Sequence, residues 1–426
     1  MCTNEPLGKP TYFSFPIFGH AMNLRISFTA LFATTVLMFF VPAPAGAEAA
    51  SSFAQWVKEF AAQAEANGIS RSFYFSVFEG VTQEDANVLE KAAYQPEFKT
   101  PLWEYLDTRI NSLSVRAGLE KKARYHETLQ VIEKRYGVAQ EVLLAIWAIE
   151  TKYGEVLRNN KRLHYLPQAL ATLAWGDHSR ATFARRQLLA ALKIMRDDKI
   201  GQDKMYGSWA GAMGQTQFIP TSYLTYAVDE DGDGRRDIWD SVADALASSA
   251  NLLSKNGWRR GESWGIEVAV NTSLVARNGE SKTLSAWRKI GLTKADGSAL
   301  PDSQAMAMLK LPAGLDGPAF LLLPNFAALK HYNNSDTYAL AVLLLSDQLA
   351  GRPSPKTPWR KPPDALTFLE RREMQQLLST RGLYHGEVDG SFGDESRAAL
   401  QSFEQQRGLP VTGRPTQNLL NALRRQ

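Results

Sequence analysis

Cysteine is nearly missing. Cys2 is the one cysteine in 426 residues, so neither an intrachain disulfide nor a cysteine zinc cage can form. The six histidines are scattered, with no HExxH pair, and no GxSxG elbow occurs. Metalloprotease and triad-hydrolase chemistry therefore lack their usual carriers. A strong charge of one sign is lacking too: the net charge is +4 and the pI about 8.9. Basic residues form no run interleaved with aromatics, so the mild excess suits an acidic polymer but leaves no nucleic-acid footprint. No repeat of fixed period is present. The largely apolar run at 26–41 falls short of the roughly 20 residues that span a bilayer.

What is present begins at Met22 with "MNLRISFTALFATTVLMFFVPAPAGAEAA": one arginine, the apolar run, then Ala45-Gly46-Ala47. That is the shape of a secretory signal cleaved before Glu48, and export with removal of 22–47 is the expectation. A retained anchor is the alternative. Residues 1–21 form an unassigned upstream segment, and Met22 is a candidate start. No cysteine follows the apolar run, so a lipid-modified terminus is not expected.

The remainder has an ordinary globular balance, 44% hydrophobic and 22% charged, with length for two or three domains. From Phe53 to the "NGW" at 256–258 apolar residues recur at helical spacing, as in "FAQWVKEFAAQAEANG", which stops at a glycine. Between 262 and 324 short runs such as "WGIEVAV" and "PAFLLLP" are bounded by Gly, Pro and Asn, the texture of strands in a small insertion. Helix returns at 337–350. The segment 351–363, with five prolines, reads as an extended semi-rigid linker. Residues 364–426 read as a compact helical module. The predicted fold is mainly α, in the α+β class, with a main domain over 53–350.

Three constellations could carry chemistry. In "EVLLAIWAIETKYG" eight consecutive apolar residues, Val142 to Ile149, run straight into Glu150. A helix without a polar face is enclosed, and desolvation together with the negative end of the helix dipole raises a carboxyl pKa. A carboxylic acid that keeps its proton near neutral pH suits general acid catalysis. The rival reading is a buried ion pair. Lys152, at i+2, points away on a helix, so its partner would come from elsewhere.

"GSWAGAMGQTQFIPTSY" at 207–223 interleaves small residues with Ser208, Gln215 and Gln217 and with apolar Trp209, Met213 and Phe218. Close backbone, amides and flat apolar faces suit a sugar groove. A tight crossing of elements would use the same composition. "DEDGDGRRDIWD" at 229–240 puts Asp229, Asp231 and Asp233 at positions 1, 3 and 5 of a calcium loop and Gly234 at 6. The carbonyl of Arg235 falls at 7 and Asp237 at 9. Position 12 is Asp240 where a longer glutamate is usual, and Asp244 is a further candidate ligand. The reading is a structural calcium site of reduced affinity, with a solvated acidic turn as the alternative.

Together, "IWAIETKYG", "ALATLAWGDHSRATF", "SWAGAMGQTQFIPTSYLTYAVDEDGDG…DIWDSVADALAS" and "HYNNSDTYALAV" resemble the lytic murein transglycosylase B family of peptidoglycan-cleaving enzymes over residues 53–350. The tail, with "VDGSFGDESRAAL", resembles the small three-helix peptidoglycan-binding module of wall hydrolases. The resemblance implies a lysozyme-like catalytic domain with a small β-containing insertion and one catalytic acid/base at Glu150. It implies substrate contacts at Ser208, Gln217 and Asn333, an aromatic lining the groove at Tyr338, and an apolar wall at Met213 and Phe218. It also implies a calcium loop at 229–240 and a reach of Arg180 toward the peptide stem. "EVLRNNKRLHYLP" departs from the family pattern, and no contacts are assigned there.

The implied reaction breaks the bond between N-acetylmuramic acid and N-acetylglucosamine and closes a 1,6-anhydro ring, with no cofactor needed for the chemistry. The expected partners are glycan strands of peptidoglycan and other wall-remodelling proteins, with no nucleic acid. A periplasmic monomer is expected. A lysozyme-type hydrolase and a non-catalytic wall-binding scaffold remain the alternatives, and a lone imperfect loop argues against a calcium sensor.

Overall fold

The computed structural model describes residues 52–93, 100–158 and 163–425. The signal reading at 22–47, Met22 and Cys2 lie outside the described residues.

The chain enters through α1 (Phe53–Ala66), whose Ser52 hydroxyl caps the Gln55 amide at 3.2 Å. Its apolar residues Phe53, Trp56, Phe60 and Ala64 fall on one stripe, and all are buried, as the spacing predicts. α2 (Arg71–Val77) and α3 (Ala86–Ala93) follow. Next come α4 (Leu102–Arg109), α5 (Ser112–Arg124) and α6 (His126–Tyr136), leading into α7 (Gln140–Thr151). Val142 to Ala148 are buried without a break, because α5, α6, α11 (Val242–Lys255) and α14 (Asp336–Leu349) all pack against α7. An enclosed helix has no use for a polar face, and each buried Leu or Ile contributes roughly 1.5–3 kcal/mol.

Between α7 and α11 lie β1 (His164–Tyr165), α8 (Leu166–Gly176), α9 (Ala181–Asp197), β2 (Tyr206–Gly207) and α10 (Pro220–Tyr226). α8 and α9 pack as a helical hairpin. β1 and β2 pair antiparallel, with His164 opposite Gly207.

The predicted insertion is a five-stranded antiparallel sheet in the order β4-β6-β7-β3-β5. Its strands are β3 (Gly265–Ala269), β4 (Ser281–Thr283), β5 (Thr293–Lys294), β6 (Met306–Lys310) and β7 (Ala319–Leu322), with α12 (Leu284–Lys289) after β4. The two runs read as strands pair directly, Glu267 opposite Phe320. Trp287, Leu309 and Leu321 centre a small separate core. α13 (Pro324–Leu329) then returns the chain to α14.

The proline-rich stretch lies along this sheet. Both carboxylate oxygens of Glu267 accept backbone amides, from Lys356 at 2.8 Å and Thr357 at 2.9 Å. Trp359 sits 6.4 Å from the Phe320 ring, and the Arg360 amide donates to the Asp316 carbonyl at 2.8 Å. Beyond it α15 (Phe368–Thr380), α16 (Asp394–Gln406) and α17 (Gln417–Arg424) enclose Met374, Leu378, Leu400, Phe403 and Leu420. A capping box at Thr367 and Glu370 starts α15, a sequence-encoded stop-and-start signal.

Candidate active site

Glu150 is the penultimate residue of α7. The helix stops there because Lys152, Tyr153 and Gly154 all have left-handed backbone, with φ of 50°, 58° and 87°. Lys152 and Tyr153 donate back to Ala148 at 2.9 Å and Trp147 at 3.2 Å. Two non-glycine residues in this region cost of order 1–3 kcal/mol each, and long-range bonds hold them. The Tyr153 hydroxyl reaches the Ser114 carbonyl at 3.2 Å. Thr151 Oγ1 donates to the Gln215 carbonyl at 2.6 Å. Gln215 in turn accepts from Trp147 Nε1 at 2.9 Å and donates to the Trp239 carbonyl at 2.8 Å. A Cβ at Gly154 would stand 2.5 Å from Gln215 Oε1, so the "KYG" of the motif encodes a sharp exit with no space beside it.

Glu150 is half-buried as a residue, and protein surrounds its carboxyl. Burial pushes that carboxyl up to about 7, against the pull of the Tyr338 hydrogen bond and the Arg109 charge. Tyr338 donates to Glu150 Oε1 at 2.6 Å. Lys152 is exposed at the helix end, and the cation that acts on Glu150 is Arg109.

Tyr338 comes from the first turn of α14. Its amide donates to the cap Ser335 at 3.3 Å, and the Ser335 amide donates to Asn333 Oδ1 at 3.0 Å. Asn333 is exposed and Tyr338 is buried, so this turn brings an open amide and a closed phenol to one end of the helix. Tyr332, just before it, stacks on Tyr338 with centroids 6.4 Å apart and planes at 4°. Its hydroxyl donates to the Thr216 carbonyl, and Phe218 meets its ring edge-on at 5.8 Å. Burial and the neighbouring Glu150 charge raise both phenols above their ordinary range, so they act as donors and not as bases.

The 207–218 loop is folded on itself. Met213 and Phe218 exchange two backbone bonds at 2.9 Å, and both side chains are buried in the main core. They support the loop from inside. Gln217 sits at its tip with φ of 54°, half-buried, its amide donating to the Gly214 carbonyl at 3.0 Å. Ser208 Oγ accepts from the Ala212 amide at 2.9 Å. A Cβ at Gly207 would lie 2.1 Å from the Ala212 carbonyl, so that turn admits no side chain there. Arg180 pairs with Asp177 and stands 5.8 Å from the Trp209 ring.

Among the predicted metal ligands, Asp229, Asp231 and Asp244 each bring one carboxylate oxygen within 4.8 Å of the others. Asp244 is fully buried and accepts the Glu230 and Asp237 amides, each at 2.8 Å. Burial, with the Asp231 charge adding to it, raises its carboxyl above the usual range. Three convergent hard oxygens fit calcium. The remaining candidates are placed otherwise. Asp233 accepts from Arg235, whose side chain is exposed; Asp237 caps Trp239 and Asp240. Asp240 pairs with Lys204. The loop lies directly beneath the site: Gln215 N donates to the Ile238 carbonyl at 2.8 Å.

Tyr332, Arg109 and Tyr105, whose ring lies 3.5 Å under the Arg109 guanidinium and which acts on Tyr338, escaped the sequence reading. Tyr332 stands inside the quoted "HYNNSDTYALAV", and the spacing of Tyr105 and Arg109, one helical turn apart, was the available signal for that pair.

Residues 52–347 match the transglycosylase SLT domain family, and residues 369–423 match a putative peptidoglycan binding domain. Membrane-bound lytic murein transglycosylase B of Escherichia coli is 34% identical over 240 residues, 56% of this chain and 64% of that relative's length. Among solved structures, SltB3 of Pseudomonas aeruginosa in complex with NAG-anhNAM-pentapeptide superposes with a TM-score of 0.68 at 42% identity. That alignment covers 88% of this chain and 99% of SltB3. The Escherichia coli lytic transglycosylase Slt35 in complex with calcium gives 0.60 at 28% identity, over 69% of this chain and 92% of Slt35. The mainly helical, lysozyme-like fold with its β-sheet is the fold of these relatives.

Proposed function

Because the chain belongs to the transglycosylase SLT domain family, we propose that it is a lytic transglycosylase of peptidoglycan with Glu150 as its single acid/base. The observation that carries this reading is the Glu150 carboxyl, held near a pKa of about 7 by burial and gripped by Tyr338. Such a group gives up and regains a proton at neutral pH.

A two-carboxylate glycosidase flanks its bond with a second acid. The groups that act on Glu150 are a phenol and a guanidinium. The muramyl acetamido oxygen takes the missing role: it assists departure at C1 as Glu150 protonates the glycosidic oxygen and the C1–O bond breaks. The Glu150 carboxylate then removes the proton from the muramyl 6-hydroxyl, which closes on C1. Glu150 ends protonated as it began, and no water is consumed. Ser208, Gln217 and Asn333 are assigned to the sugars, with Met213 and Phe218 supporting Gln217 from below.

Asp229, Asp231 and Asp244 are assigned a structural calcium that steadies the loop under Gln215. The chemistry does not pass through it. The module at 369–423 is assigned to hold the enzyme on glycan strands, in keeping with export to the periplasm. Digestion of purified sacculi followed by mass spectrometry tests the reaction: the anhydro product is one water lighter than the product of hydrolysis. Glu150→Gln is expected to abolish it. Full activity of that variant, or a hydrated product from the native chain, would overturn the reading.

A further inference from the structure

α4 is occupied on two sides. Glu104, Asp107 and Thr108 fall at i, i+3 and i+4 and share a face, whereas Tyr105 and Arg109 share another, about a third of a turn away. The second face belongs to the active site. The Arg109 guanidinium lies 3.5 Å over the Tyr105 ring. Its charge reaches Glu150, Tyr105 acts on Tyr338, and α4 packs on α14.

The first face is taken by the C-terminal module. The Phe368 amide donates to Asp107. Arg371 donates to Thr108 Oγ1 at 3.1 Å and lies 3.6 Å and 3.7 Å from the Glu104 and Asp107 carboxylates. Arg371 is only 4% exposed, and its other donors meet the Gly390 and Leu366 carbonyls inside the module at 2.8 Å and 3.0 Å. A buried guanidinium shared by two bodies resists their separation, since parting would leave charges buried and unpaired. The linker that precedes the module is pinned separately, through the Lys356 and Thr357 amides to Glu267. The module is held at its first helix, the spacer that leads to it is held as well, and it does not trail from a free spacer.

We propose that the module braces α4, with Arg371 as the positioning residue that holds Tyr105 and Arg109 at Glu150. The polymer anchor is thereby also part of the active-site wall. This rests on the reading of Glu150 as the acid/base. The groups that face Glu150 are Tyr338 of α14, Tyr332 just before that helix and Arg109 of α4. Arg371 faces Glu104 and Asp107, and Asp107 also feels Lys361 and Glu370.

The test uses the full chain, a short soluble peptidoglycan fragment of alternating GlcNAc and MurNAc-peptide units long enough to hold a MurNAc–GlcNAc bond as substrate, and sedimentation with sacculi for binding. Arg371→Ala and Asp107→Asn are expected to lower kcat on the fragment on the order of tenfold or more, the scale of a misplaced catalytic geometry. Both move the basic limb of the pH profile upward, because a retreating Arg109 no longer draws the Glu150 pKa down. Arg371→Lys restores part of the rate. Asp107 lies outside the module's own hydrogen bonds, so Asp107→Asn keeps the test readable if Arg371→Ala misfolds. Unchanged kcat and pH limb in folded Asp107→Asn, or sacculus binding lost with fragment turnover intact, would overturn the brace. Turnover surviving in Glu150→Gln would instead overturn the acid/base reading, whatever Arg371 does.

Discussion

The Tyr338 hydroxyl stands 2.6 Å from Glu150 Oε1 and donates to it, although 188 positions separate the two residues. The bond favours the charged carboxylate, while burial favours the neutral acid. The two oppose each other, and burial is the larger.

Tyr338→Phe removes the bond and leaves the burial. A hydrogen bond to a charged group is worth about 1.5–3 kcal/mol, which is about one to two pH units. The Glu150 pKa, already near 7, therefore climbs further. The basic limb of the activity profile is expected to move up by that amount, and the share of enzyme that starts with the protonated acid at neutral pH to rise. A pH–rate profile on soluble fragments reads both effects. An unmoved limb would mean that the bond does not set the proton affinity.

Glu150 also makes stability depend on pH. Its folded pKa, about 7, stands above the ordinary 4.5, so between those values the folded chain binds more proton than the unfolded one. Stability then declines as pH rises through this window and is level on either side. Glu150→Gln removes the dependence and keeps an acceptor for Tyr338. It is expected to match the native chain near pH 4 and to exceed it above pH 7 by at most about 3 kcal/mol. Urea unfolding at several pH values checks this, and a constant difference across the range would contradict it.

The enclosure of Glu150 was legible because Val142 to Ala148 leave α7 no polar face, a local signal that the packing of four helices satisfies. Two of the five insertion strands, β3 and β7, were legible for a similar reason: short apolar runs between turn residues. Tyr332, Tyr105 and Arg109 were not, since nothing in the spacing of one helix says which distant helix it will meet. The 207–223 segment was equally ambiguous. Small and large residues in alternation serve a groove or a tight crossing, and the structure uses Met213 and Phe218 in the core. The prolines at 351–363 signal extension, but the Glu267 and Asp316 contacts that pin them lie in another part of the chain.

The calcium loop offers a gain-of-affinity experiment. Asp240, the twelfth position, is drawn off by Lys204, leaving Asp229, Asp231 and Asp244 as the gathered carboxylates. Lys204→Met frees Asp240 to turn inward and raises the negative charge available to the ion. Calcium affinity, read from the calcium-dependent rise in melting temperature, is expected to increase, and Asp229→Asn to abolish that rise. An identical calcium response in Lys204→Met and the native chain would show that Asp240 takes no part.

Gly154 tests whether the backbone exit of α7 is what aligns the acid. Its φ is 87°, and an added Cβ meets Gln215 Oε1 at 2.5 Å. Gly154→Ala therefore strains the chain by about 1–3 kcal/mol and pushes away the amide that ties Trp147 to Trp239. Thr151, bonded to the Gln215 carbonyl at 2.6 Å, shifts with it, and Glu150 is its neighbour in the chain. The variant is expected to lose stability within that range and to lose turnover by a larger factor than its folded fraction explains. Gln215→Ala opens the space that the Cβ needs while giving up the tie, so Gly154→Ala should cost less stability in that background than alone. Thermal unfolding of the four proteins measures the coupling. Additive losses would mean that the two residues do not meet, and the account of the "KYG" exit would fail with them.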